Sequence, residues 1–283
     1  MNFQNIFNQI EQVDPEFYAR TDTRRESLKK FAGIGKKLAL TAIPFALGSL
    51  FKKAYGTPPS SNVVLDVLNY ALTLEYLEAE FYANSLTALP GMGAPTAAQN
   101  AIKVIADHEA AHVTLLKNVI NSLGSTPVPK PTFDFTAGGA FNDVYTNYDL
   151  FLAVAQTFED TGVRAYKGRA AEIVGGGDIL EAALNIHSVE ARHASHIRQM
   201  RRARSSDTSI NIKPWITLNE TAGIGSAVQA SYNGEENVVQ ATVNIANLPN
   251  VSGTIGMTAA SESFDEGLTK DQVLAIVAPF IVG

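Results

Sequence analysis

The chain contains no cysteine. That excludes disulfides, thiolate zinc sites, iron–sulfur clusters and cysteine nucleophiles, so any metal must be held by His, Asp and Glu alone. It leaves the redox compartment open, because a chain without thiols survives anywhere. Charge is sparse as well. Only 18% of the 283 residues are charged and 46% are hydrophobic, a globular balance and the reverse of a disordered one. Basic charge is the scarcer sign: 22 Lys and Arg stand against 28 Asp and Glu, for a net charge of −6. Nucleic-acid binders neutralise phosphate with a basic surface, so no nucleic-acid partner is expected. The uncharged run Leu38–Phe51 is shorter than the roughly 20 residues a membrane-spanning helix requires, and no stable span is expected from it. The length leaves room for one large domain or two small ones.

Residues Thr23-Arg24-Arg25-Glu26-Ser27-Leu28-Lys29 resemble a bacterial twin-arginine export signal. The run Leu38–Phe51 stands where an export signal has its apolar region, and Ala54-Tyr55-Gly56 is a small-x-small site just beyond it. This resemblance implies a leader over residues 1–56 and delivery to the periplasm or cell envelope. The competing reading is an amphipathic N-terminal helix with a basic face.

Pro58-Pro59-Ser60-Ser61-Asn62 breaks the pattern and opens a domain over residues 57–204. Four helices are expected there: Val63–Leu86, Ala97–Leu123, Asp143–Val174, and one capped by Asp178 that reaches Arg202. Pro90 with Gly91, Gly124, and the run Gly175-Gly176-Gly177 supply the stops. Residues Ser125–Phe141 carry Pro127, Pro129 and Pro131 and cannot be helical throughout. Short, long and short connections between long helices indicate an all-α four-helix bundle with one crossover. After Arg204 the composition shifts. Ile210–Leu218 and Val238–Leu248 alternate and read as strands, and Leu268–Phe280 reads as a short capped helix. Residues 205–283 are therefore expected to form a C-terminal appendage packed on the bundle.

All five histidines lie in two places, His108 and His112 on the second helix and His187, His193 and His196 on the fourth. Each helix contains Glu-x-x-His: Glu109-Ala110-Ala111-His112 and Glu190-Ala191-Arg192-His193. A spacing of three puts Glu and His on neighbouring turns of one face, and two such faces meeting across a bundle can bind two metal ions. Glu75 on the first helix is followed seven residues later by Tyr82, and Glu159 on the third is followed seven later by Tyr166. The order Glu, Tyr, Glu-x-x-His thus occurs twice along the chain.

In these residues the sequence resembles the ferritin-like superfamily of di-iron and di-manganese carboxylate proteins. The histidine on the last helix makes it more similar to bacterioferritin, rubrerythrin and manganese catalase than to animal storage ferritin. The stretch Leu72–Tyr82 and the tail Phe264–Ile281 further resemble exported ferritin-like-domain proteins. The resemblance implies Glu75, Glu109, His112, Glu159, Glu190 and His193 as ligands of two Fe or two Mn ions, with Glu109 and Glu190 bridging. It implies oxygen or peroxide as the small-molecule substrate, and with it a di-metal oxidoreductase: a ferroxidase, a peroxidase or a catalase-like enzyme. A non-catalytic metal-binding or stress-protective envelope protein is the alternative. A hollow storage shell is disfavoured by the large appendage, while a smaller homo-oligomer stays open.

Charge supports metal, since two divalent ions balance four glutamates and unpaired buried carboxylates are costly. Arg164 and Arg192 lie five and two residues after Glu159 and Glu190, which at roughly 100° per residue turns both off the ligand face. Glu78 is the rival to Glu75. Asp160 reads as a surface charge, and Arg198, Arg201, Arg202 and Arg204 as a basic helix end complementing the dipole. Tyr82 and Tyr166 read as hydrogen-bonding partners of the site, as electron relays or as core. His108 reads as a neighbour of the ligands or as a half-buried polar residue, and His187 and His196 as structural or solvent-facing. In relatives a carboxylate often precedes the Glu of the motif and orients the opposite His. Here His108 and Val189 occupy those positions.

Overall fold

Burial along the chain separates the four long helices into two kinds. The computed structural model describes residues 59–207, 209–250 and 253–282. The twin-arginine-like segment, the run Leu38–Phe51 and Ala54-Tyr55-Gly56 lie outside the described residues. Helices α1 (Ser61–Ala88), α2 (Thr96–Ser122), α3 (Tyr148–Ala170) and α4 (Asp178–Arg204) pack chiefly as the pairs α1–α2 and α3–α4. On α2 the buried residues Ile102, Ile105, Ala106, Glu109, His112, Leu116 and Ile120 recur every three or four positions and form one inward stripe. Helix α3 differs: it is buried without interruption from Phe151 to Tyr166.

Local chemistry sets the helix ends. The Ser60 side chain accepts from the Val63 N–H, which starts α1. The third helix begins later than the expected Asp143, because residues 143–147 form turns and the Asn147 side chain accepts from the Asp149 and Leu150 N–H groups at 3.0 and 3.1 Å. It ends at Ala170, with a 3₁₀ turn over Ala171–Ile173. Asp178 is not the cap of α4 but its first residue. Gly177 precedes it at φ 57°, and Asp178 and Glu181 place negative charge in the first turn, where the helix dipole favours it.

The expected strands after residue 204 are largely absent. Ile210–Leu218 has no strand: Pro214 interrupts it without an N–H to donate, while Ile212 and Ile216 are buried. Val238–Leu248 is not one strand but an antiparallel pair of two-residue strands, Val239–Gln240 with Val243–Asn244, followed by a 3₁₀ turn at Ile245–Asn247. The chain reverses between the two strands at Ala241 and Thr242, both at positive φ. The capped helix is present as Lys270–Val277, with Thr269 and Gln272 forming a capping box. The extreme C-terminus returns to the crossover, where Ile281–Val282 pairs antiparallel with Thr132–Phe133.

All described residues belong to one compact unit, and one apolar cluster joins bundle residues such as Phe81, Phe151 and Phe158 to Tyr232, Leu268, Val273 and Phe280. The junction is also polar. Arg164, assigned from its helical angle to a face away from the ligands, grips the C-terminal segment. It donates to the Ser231, Asn233 and Glu266 carbonyls at 2.5, 2.9 and 2.8 Å and pairs with Glu235 at 2.7 Å. Asp160 is not a surface charge. It is 3% exposed and accepts two hydrogen bonds from Arg198, at 3.0 and 2.6 Å, and one from the Tyr232 hydroxyl at 2.9 Å. Arg198 is therefore a buried partner of Asp160 rather than a dipole counter-charge. The C-terminal segment covers the face of α3 where Asp160 would otherwise meet water.

Backbones touch where this segment crosses α3. A Cβ on Gly168 would lie 1.9 Å from the Leu268 carbonyl oxygen, and one on Gly267 would lie 2.8 Å from the Gly168 Cα. Gly168→Ala should therefore destabilise the protein by about 1–3 kcal/mol, as overpacking does. A urea midpoint unchanged from the parent would show that the segment yields freely.

Candidate metal centre

The inward stripes of α2 and α4 are each interrupted by the Glu-x-x-His pair, with buried apolar residues on both sides of it. Apolar clusters lie above and below: Tyr82, Ile102 and Phe158 belong to one, and Tyr76, Leu116, Tyr166 and Ile186 to the other. Between them all four helices contribute acid or imidazole to one buried layer. Two overlapping groups form, Glu75, Glu109, His112 and Glu190, and Glu109, Glu159, Glu190 and His193. Within each group one ligand atom per residue lies within 4.8 Å of the others, and every residue is buried. Glu109 and Glu190 are common to both. The six residues singled out from the repeat are thus brought together, and Glu78 stands outside both groups.

The cluster atoms converge but only in part satisfy one another: His112 Nδ1 is in hydrogen-bond reach of Glu75 Oε2 and Glu109 Oε2, whereas most atoms around His193 are not paired. His193 Nδ1 lies 2.8 Å from Glu109 and 3.3 Å from Glu159, and His112 Nδ1 lies 3.1 Å from both Glu75 and Glu190. Yet His193 Nδ1, Glu109 Oε1, Glu159 Oε2 and both Glu190 oxygens are buried with no hydrogen-bond partner. Atoms this close but misaligned for hydrogen bonding point at shared space rather than at each other, which is how the donors around a cation are arranged. No arginine or lysine among the described residues fills that role. Arg164 and Arg198 are engaged with Glu235 and Asp160, Lys103 pairs with Asp107 at 2.6 Å on the surface, and Arg192 is exposed. Glutamate oxygen and imidazole nitrogen without thiolate are a donor set for a divalent metal ion.

Residues 64–203 match the family model of the ferritin-like domain. The bundle is a ferritin-like domain. A comparison with curated proteins returns no match. In this ferritin-like domain the fold and the buried acid-imidazole layer agree, and the chain is a metal-binding ferritin-like protein.

The tyrosines are bonded to the site, each to the glutamate of the other half. Tyr82 donates to Glu159 Oε1 and Tyr166 to Glu75 Oε1, both at 2.5 Å. The antiparallel course of α1 and α3 explains the exchange: Tyr82 is level with Glu159, and Tyr166 with Glu75. Each hydroxyl occupies one carboxylate oxygen and leaves the other facing a histidine. Two further residues complete the layer. His108, though exposed, puts Nδ1 3.0 Å from His193 Nε2. Glu78 is 3% exposed, and Gly162 makes room for it: a Cβ there would come 3.2 Å from Glu78 and 3.5 Å from Glu190. The position of Glu78, three residues after Glu75 on one face, is the sequence signal for its burial. His196 is exposed, and His187 is half-buried away from both groups.

Burial pushes the Glu75 carboxyl up to about 7, and burial with neighbouring carboxylates pushes Glu190 and Glu78 well above the usual range. Burial also opposes charge on the ligand histidines, but the carboxylates outweigh it. Glu109, Glu190 and Glu75 hold His112 up to about 12, and Glu159 and Glu109 hold His193 up to about 11. The metal-free folded protein therefore keeps protons that the unfolded chain releases, from the ordinary carboxylate range upward. Stability must then fall as pH rises, because the folded state binds more protons. The metal-free melting temperature should drop steadily between pH of about 5 and about 9. Metal binding needs the deprotonated ligands, so the gap between loaded and metal-free melting should widen over the same range. A metal-free curve that is flat or rising would contradict a proton-rich centre.

Proposed function

We propose that the chain is an exported di-iron or di-manganese carboxylate protein that reacts with oxygen or peroxide. The observation that carries the reading is the convergence of unpartnered Glu109, Glu159, Glu190 and His193 atoms in a buried layer that no arginine or lysine among the described residues neutralises. Glu109 and Glu190 would bridge two ions, one completed by Glu75 and His112, the other by Glu159 and His193. When bound, such a pair supplies redox chemistry between the two-plus and three-plus states and polarises a bound oxidant. The protein's own part is to orient and to exclude water. The Tyr82 and Tyr166 hydroxyls, whose pKa burial raises well above the ordinary value, stay protonated. Each pins one oxygen of a terminal glutamate and turns the other inward.

Export is part of the proposal and rests on Arg24-Arg25 and the apolar run after them. Replacing both arginines by lysine should leave the protein in the cytoplasm with its leader uncut, and unchanged periplasmic delivery would remove the twin-arginine reading.

Elemental analysis of the protein from its native compartment should give close to two Fe or Mn per chain. Glu109→Ala and Glu190→Ala should each lose the pair, since each removes a shared carboxylate. Glu75→Ala and Glu159→Ala should each weaken one ion more than the other. The ferrous-loaded protein should consume oxygen or peroxide as a new near-ultraviolet absorption band appears. A chain that takes up neither Fe nor Mn defeats the metal reading. A loaded chain inert to both oxidants leaves metal binding in the envelope as its function.

A further inference from the structure

The two halves of the centre match at their ligands but not behind them. His193 turns Nδ1 toward Glu109 and Glu159, and its Nε2 meets His108 Nδ1 at 3.0 Å, with the rings nearly parallel at 15°. An imidazole that gives Nδ1 to a metal keeps its proton on Nε2. That proton has one acceptor here, His108 Nδ1, whose own proton then sits on Nε2. His108 comes immediately before Glu109, and the matching position before Glu190 is Val189. A valine side chain has no acceptor. All the polar contacts of His112 among the described residues run from Nδ1, to Glu75, Glu109 and Glu190. Its Nε2 has no counterpart of His108. The ligand set alone predicts two equivalent positions, and the residues behind the histidines make them different.

We propose that His108 is a positioning residue for His193, and that its replacement by Val189 in the other half makes the two metal positions unequal. The position completed by Glu159 and His193 binds tightly and fills first. The position completed by Glu75 and His112 binds more weakly and fills second. The acceptor fixes which nitrogen of His193 carries the proton and holds the ring in the plane the ion requires. His112 must reach that state unaided each time an ion binds. The inference rests on the metal reading proposed above.

Calorimetric titration of the metal-free full chain with Zn²⁺, a redox-silent probe, tests it. The parent should take two ions in two resolved steps. His108→Ala should weaken one step by about 10–100-fold, the usual effect of losing a partner behind a metal-bound histidine, and leave the other unchanged. His108→Asp should restore the lost step, because a carboxylate accepts the same hydrogen bond; a merely structural histidine would not be rescued. Val189→Asp should tighten the weak step. In the Zn²⁺-loaded parent, ¹⁵N spectra should show His193 bound through Nδ1 with a proton on Nε2, and that proton's resonance should shift in His108→Ala. Two ions bound with equal affinity in the parent, or a His108→Ala variant that weakens both steps alike or neither, overturns the inference while leaving the metal reading intact. A parent that binds no Zn²⁺, Fe or Mn overturns the metal reading, and the inference falls with it.

Discussion

Five buried carboxylates share the middle of the bundle: Glu75, Glu78, Glu109, Glu159 and Glu190, each 3% exposed or less. Concentrating that much like charge in a low-dielectric interior is the costliest feature of the molecule. Two protonated histidines offset part of it in the metal-free protein, and elevated carboxyl pKa values remove more by keeping protons on. Neither device satisfies the unpartnered oxygens. A cation does, which makes the centre a source of strain without metal and of cohesion with it. A ligand at one hundred times its dissociation constant adds about 2.7 kcal/mol.

Such a layer survives folding only if the apolar packing around it is secure, and the C-terminal segment provides much of that packing. Helix α3 carries Glu159 and Tyr166 on one face and Asp160 and Arg164 on others, and all four are buried. A four-helix bundle alone leaves part of each helix in water. Here residues 226–232 and 264–280 cover that part of α3, with Arg164 and Asp160 as polar anchors and Val273 and Phe280 as apolar ones. Truncating one partner of a buried charge pair strands the other, so the anchors are cohesive only as complete sets.

The bundle and its buried acid-imidazole layer were legible in the sequence because both are written in helical period. Glu-x-x-His at a spacing of three and Glu to Tyr at seven fix faces without reference to the rest of the fold. The segment beyond Arg204 was not legible in that way. Its alternating Ile, Val and Thr residues look like strands, but Pro214 and the positive-φ pair Ala241-Thr242 break the ladders, and burial against α3 decides its path. Asp160 and Arg198 were misassigned for the same reason. Their helical angles point away from the metal layer, and only the covering segment turns that direction into an interior. The tyrosine exchange likewise needed a fact the repeat lacks, namely that α1 and α3 run antiparallel.

The repeat also explains where symmetry should fail. A duplicated Glu, Tyr, Glu-x-x-His set constrains the atoms that face the ions, because each half must present the same donors. It places no such demand on the outward side of the same helices. There α2 meets solvent around His108, while α3 and α4 are clamped by the C-terminal segment through Arg164, Asp160 and Arg198. The two halves therefore sit in different mechanical settings around one chemical motif. The half carrying Glu159 and His193 is held by the clamp from outside and by His108 from across the bundle. The half carrying Glu75 and His112 lies on α1 and α2, which the C-terminal segment meets through the exposed pair Lys270–Asp66. The inequality we propose for the two positions would then follow from how the chain continues after the bundle as well as from His108 and Val189.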